Sequence, residues 1–192
     1  MEGLEKIHIK KVLGPTQTGT AVLLGNDKKT FVMFIGLYEG AAIVRELNGE
    51  VPPRPLTHEL LAYILDGFNI RIKRIVISNI VNNTFCATLV LEQKVVDGDG
   101  DWVGKRNEVR IDARPSDCLV LALKSKSEIY CTPAVLEQVR DVSEELGLAE
   151  KEASKTEEEE DGISFTKPDF LNQKWDELDL GLDKQTGDEE GE

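Results

Sequence analysis

In "EKIHIKKVLG", Ile7 and Ile9 alternate with polar residues and are followed by Val12. That spacing predicts a half-buried strand, which Pro15 closes. "TAVLLGNDKKTFVMFIG" places two apolar runs around Gly25-Asn26-Asp27, as a hairpin requires. Past Gly36, "LYEGAAIVREL" predicts a short helix. A proline-rich link, "EVPPRP", leads to a firmer one, with Thr57 as N-cap, Gly67 as stop, and Leu60, Leu61, Ile64, Leu65 and Phe68 as one buried stripe. A second β set follows: "IRIKRIVISNIV", an Asn82-Asn83 turn, "TFCATLVLEQKVV", a loop "DGDGDWVGKRN" and "EVRIDA". After the corner Arg114-Pro115-Ser116-Asp117 come an apolar helix, the strand "EIYCT" and a last helix "PAVLEQVRDVSEELG" that starts on Pro133.

Two segments repeat one plan. "FVMFIGLYEGAAIVREL" and "EVRIDARPSDCLVLALK" both run strand, corner with an acid, short helix, and they put Glu39 and Asp117 in similar places. Cys118 to Leu123 are consecutive apolar residues, as are Ala41 to Val44, so each helix is hydrophobic on nearly every side and must be buried from several directions. With too few helices for a bundle, the expected fold class is α+β: a three-layer β/α/β body with helices between sheets.

Charge divides the chain in two. Residues 150 to 192 hold 16 carboxylates against 5 lysines, whereas the first 149 residues hold 20 acids and 18 bases. The expected organisation is a domain over 1–149 and an acidic, mostly disordered tail over 150–192, in which "DFLNQKWDELDL" has the pattern of a helical turn or two. An acidic surface repels phosphate, but here that objection applies only to the tail. Cys86, Cys118 and Cys131 have no paired spacing and read as small buried residues of a reducing compartment. "MEGLEKIHIKKVLG" has no uninterrupted apolar core, so neither a signal peptide nor a membrane anchor is expected, and the location expected is cytoplasmic. Bare β edges suit a homo-oligomer.

Candidate chemistry gathers at two Arg-Pro corners. Ser116 and Asp117 suit the first turn of a helix as caps, while Arg114 is not needed for capping and, beside free helix N–H groups, makes a place for phosphate or carboxylate. "RPLTHEL" repeats the arrangement with Arg54, and puts His58 and Glu59 near a helix start, away from the buried stripe. Histidine titrates at about 6.5 and serves as a general acid or base, whereas most histidines at helix starts are plain surface residues. "DGDGDWVGKRNE" imitates a calcium loop, but Trp102 stands where glycine makes the turn and Lys105 replaces a ligand. "RIKR", Arg71 to Arg74, forms a basic strand edge that either follows a phosphate backbone or is simply a solvated face.

"FIGLYEGAAI", "RPLTHELL", "NNTFCATLVL" and "DARPSDCLVLALK" occur in that order, and together they resemble the bifunctional nuclease family, formerly a bacterial domain of unknown function. The resemblance spans roughly residues 5 to 140. It implies a compact α+β domain of two β-β-β-α-like repeats that degrades both DNA and RNA. The family's signature positions fall on Gly36, Glu39, Gly40, Arg54, Pro55, Thr57, His58, Arg114, Pro115, Ser116 and Asp117. From these, Glu39, His58 and Asp117 are expected to act either as acid–base groups or as ligands of a divalent cation such as magnesium, the choice of cofactor being left open. Arg54, Arg114 and Ser116 are expected to hold substrate. Nucleic acid is the expected partner, and the acidic tail is expected to dock on the domain itself or on a protein. A noncatalytic module that binds an anion or a protein is the competing expectation.

Overall fold

A computed structural model describes residues 3–16, 19–96 and 102–145. The elements follow in the order β1 (Glu5–Thr16), β2 (Gly19–Gly25), β3 (Thr30–Ile35), α1 (Leu37–Leu47), α2 (Thr57–Gly67), β4 (Ile70–Val81), β5 (Thr84–Val96), β6 (Trp102–Ala113), α3 (Pro115–Ser125), β7 (Glu128–Cys131) and α4 (Pro133–Gln138). All of them lie in one compact unit, Met1–Val142. Of the second unit, only a helical turn at 143–145 falls among the described residues. The expected disorder of the tail and its helical turns lie outside them.

The fold is mixed α/β, with a seven-stranded sheet in the order β3-β2-β1-β7-β4-β5-β6. Only the β7–β4 pair is parallel. Two sheets with helices between them were expected, whereas hydrogen bonding joins all seven strands. The joint is β1, whose Glu5–Ile7 pair with β7 while His8–Thr16 pair with β2. The sheet curls beyond that joint: Phe31 of the edge strand β3 stacks on Phe85 of β5, ring centroids 5.8 Å apart. Every residue of β2 is buried, as its unbroken apolar run requires.

Inside the curl lies one core. Ile7, Val22, Leu24, Phe31, Ile75 and Ile77 from the sheet meet Ile43 of α1, Cys118 to Ala122 of α3, and Val135 and Leu136 of α4. α3 packs against α1, α2, β4, β5 and β7, which is why it needs no polar face. The Asn82-Asn83 turn is as expected: both residues have positive φ, 48° and 57°, the requirement of a two-residue type I′ hairpin.

Five local expectations change. The N-cap of α2 is Leu56, so Thr57 is already helical and caps nothing. The stripe on α2 is not buried; of Leu60, Leu61, Ile64, Leu65 and Phe68, only Leu65 is. β6 begins at Trp102, so Trp102 to Asn107 belong to a strand, and residues 97–101 of the supposed calcium loop lie outside the described residues. The basic run Arg71–Arg74 pairs along one side with β5, and only Arg74 is also in register with β7, so the edge expected there is open on the β7 side at Arg71 to Lys73 alone. The last helix stops at Gln138 because Thr30 at the start of β3 captures the chain. Its N–H donates to Asp141 Oδ1 at 3.1 Å and its carbonyl accepts from the Val142 N–H at 2.8 Å.

Candidate active site

Three helices begin at one place, and each carries a carboxylate as its third residue. α1 is capped by Gly36 and has Glu39 there; α2 follows Leu56 and has Glu59; α3 follows Arg114 and has Asp117. An acid in the first turn offsets the positive helix end, which accounts for the residue type. Their side chains are used differently. Glu59 reaches back to accept the Leu56 N–H at 2.9 Å, while Glu39 and Asp117 both turn to Arg114.

Arg114 donates from Nε to Asp117 Oδ2 at 2.8 Å, from NH2 to Asp117 Oδ1 at 3.2 Å, and from NH1 to Glu39 Oε1 at 3.1 Å. Asp117 Oδ1 also meets His58 Nε2 at 3.2 Å. Partial burial pushes the Asp117 carboxyl up, but the hydrogen bonds from Arg114 and His58 outweigh it and hold the pKa below the ordinary value. The carboxylate is thus ionised at neutral pH and can only accept, so Nε2 of His58 carries the proton and a neutral ring keeps its lone pair on Nδ1. The Arg114 side chain is 67% exposed, and each terminal nitrogen keeps one N–H not given to a carboxylate.

Ser116 and Asp117, expected as caps, do not cap α3. α3 has no side-chain cap; Pro115 fills the first position, Ser116 is buried, and both Asp117 oxygens serve Arg114 and His58. Glu39, His58, Arg114 and Asp117 come together. Arg54 is exposed and forms no ion pair among the described residues. The basic run on β4 is matched by acids: Arg71 and Lys73 both pair with Glu92, and Lys73 also with Glu108. Arg74, the third base of the run, is buried, so the part of it that solvent reaches is already paired with carboxylates.

Both glycines of "GLYEG" are set by close approach. A Cβ at Gly36 would stand 3.1 Å from Glu39 Cδ and closer to Oε2, so bare backbone leaves the carboxylate its place. At Gly40 it would stand 2.7 Å from Cγ2 of the buried Thr20 and closer to Oγ1. Sequence reasoning missed a second polar cluster, in which Lys124 of α3 meets Glu46 of α1 at 2.7 Å and Glu59 of α2 at 3.0 Å. Glu59, expected beside the helix cap and off the buried stripe, is buried. No local signal links three residues on three helices.

Residues 22–144 match the family model of the bifunctional nuclease domain. The chain belongs to that family. All four clustered residues fall inside the match. Two proteins from two strains of Mycobacterium tuberculosis, "Uncharacterized protein MT1877" and "Uncharacterized protein Rv1829", are each 31% identical over 146 residues, which cover 72% of this chain and 80% of theirs. Membership makes a nuclease-like activity the family expectation. No helix among the described residues is long and apolar enough to cross a membrane.

Proposed function

We propose that this protein hydrolyses phosphodiester bonds in both DNA and RNA with little sequence preference. The observation that carries the proposal is the His58–Asp117 contact at 3.2 Å beside Arg114, because an imidazole oriented by an ionised carboxylate is a general base next to a cation with N–H groups to spare. His58 Nδ1 takes a proton from water as the water oxygen bonds to phosphorus and the bond from phosphorus to the sugar oxygen breaks; solvent protonates the departing oxygen, and the imidazolium gives its proton back to solvent. Arg114, with Arg54 four residues before His58, holds the non-bridging oxygens. Glu39 keeps Arg114 in place, and buried Ser116 supports the corner without touching substrate. Recognition through phosphate alone accounts for tolerance of both sugars.

A divalent ion on Glu39 and Asp117 does not fit this arrangement. Both Asp117 oxygens already accept hydrogen bonds, and no three His, Cys, Asp or Glu among the described residues form a group that could hold a metal. We take residues 1–149 as the catalytic domain, in the cytoplasm, with 150–192 as an acidic arm that competes with nucleic acid for it. Deleting 150–192 then raises affinity for nucleic acid, and unchanged affinity would dispose of that role.

The deciding assay is hydrolysis of labelled single-stranded RNA and duplex DNA, with magnesium or chelator, by the wild type, His58→Ala and Asp117→Asn. A loss of roughly 10²–10⁴-fold in both folded variants is expected. Equal activity in all three proteins would assign the chemistry elsewhere, and chelator sensitivity would require a metal. The exposed Arg114 N–H groups left over from Glu39 and Asp117 also suit a noncatalytic anion-binding module, which needs no proton transfer by His58. Binding without hydrolysis would select it.

A further inference from the structure

α2 carries an apolar face that the core does not use. Leu56, Leu60, Leu61, Tyr63, Ile64 and Phe68 are all between 36% and 66% exposed. Leu56, Leu60, Ile64 and Phe68 recur every fourth residue, so they form one straight ridge of the kind that packs into the groove of another helix. Phe68 and Tyr63 are the most open of the six, which is the reverse of what burial in a monomer would give.

We infer that this face binds the same face of a second copy of the chain, forming a homodimer with the two α2 helices crossing antiparallel. Area supports a dimer. A large side chain buries about 150–250 Å² in full, so six that are half exposed offer about 600 Å² per copy. That approaches the roughly 800 Å² per partner of a standard interface, and it stands at the upper end of the about 300–600 Å² of the largest apolar patch on a typical monomer, a size often functional. Charge decides between occupants. Between Leu56 and Phe68 the exposed positions include one charged residue, Asp66, and no lysine or arginine. An acidic segment, such as the chain's own tail, finds no complement there. An identical neutral face meets no such cost.

The antiparallel sense follows from the same residues. It separates the two Asp66 side chains and sets each near the positive N-terminal end of the opposing helix, whereas parallel packing would place them together. Because His58 lies in the first turn of α2, the contact would also hold the helix that carries it. The dimer itself does not depend on the nuclease assignment.

The test is the mass of the full chain in solution at micromolar concentration, by sedimentation or light scattering. The wild type should show twice the single-chain mass of 21.4 kDa, and Ile64→Glu and Phe68→Glu should each show the single-chain mass with unchanged circular dichroism. Ile111→Glu, on the exposed face of the edge strand β6, should remain dimeric. Phe68 lies at the helix end and carries the test if Ile64→Glu fails to fold. A wild type of single-chain mass would overturn the proposal. So would dimers that survive both α2 substitutions or that dissociate in Ile111→Glu.

Discussion

α2 and α3 have the same length, and each begins at an Arg-Pro pair, just after it in α2 and on its proline in α3, yet their surroundings are opposite. In α3, Ser116 and the five residues from Cys118 to Ala122 are buried; in α2 only Glu59 and Leu65 are, and Glu59 is a carboxylate held by Lys124. The leucines of the two helices are chemically alike, so hydrophobicity did not decide which would be covered. Neighbours did. α3 has helices and strands around it, whereas α2 rests against α3 and β4 and turns its remaining leucines outward. A buried apolar helix informs on the core, and an exposed one points to what the chain meets. The helix starts differ as well: one supplies the imidazole, the other the carboxylate and guanidinium that orient it.

The largest effect expected from disturbing this pair of helices lies where they meet, in the roughly 10²–10⁴-fold loss of hydrolysis on removing His58 or the charge of Asp117. Next comes the core side of the comparison. Leu119→Ala, at a fully buried position of α3, should lower unfolding free energy by about 2–5 kcal/mol in urea titrations, whereas Leu60→Ala on α2 should change it by no more than about 0.5 kcal/mol in a single-chain reference such as Phe68→Glu. A similar cost for the two would erase the distinction.

Smaller effects separate folding from the site. Gly40→Ala forces a methyl against Thr20, which is itself buried, and should cost about 1–3 kcal/mol. Gly36→Ala meets only the movable end of Glu39, so thermal unfolding should barely shift while hydrolysis falls. Equal loss of stability in the two would contradict the placement of Glu39.

Acid should weaken the fold modestly. Burial raises the Glu59 carboxyl, but the bonds from Lys124 and the Leu56 N–H prevail and its folded pKa lies below the ordinary value; Asp117 is depressed in the same sense. A depressed carboxylate stabilises fully above its unfolded pKa, about 4.3 for Glu and 3.9 for Asp, and that contribution is lost as pH falls through the lower folded value. Melting followed from pH 6 downward should therefore show the decline beginning near the unfolded values. Lys124→Met should flatten it, and an unchanged slope would show that the Lys124 pair does not contribute.

Much of this was legible one residue at a time. The Asn82-Asn83 hairpin follows from the tolerance of asparagine for positive φ, and the family motifs lie inside the matched domain. The importance of Gly36 and Gly40 was visible, though its cause, close approach to Glu39 and Thr20, was not. The end of α4 was misjudged because residues 139 to 142 have apolar spacing compatible with a longer helix, while Thr30, more than a hundred positions away, claims their backbone and Asp141.

By itself, then, the sequence determined the Asn82-Asn83 turn, the start of the last helix on Pro133, which residue types stand at the corners, and that the chain carries this family's motifs. Those properties depend on local backbone preference and side-chain chemistry, and neither needs a distant partner. Only the tertiary structure decided that one guanidinium is shared between Glu39 and Asp117, that Glu59 is drawn inward by Lys124, and that the stripe on α2 faces out. Each of those depends on which surfaces the curled sheet brings together, and burial and ion pairing respond to neighbours in space and not in the chain.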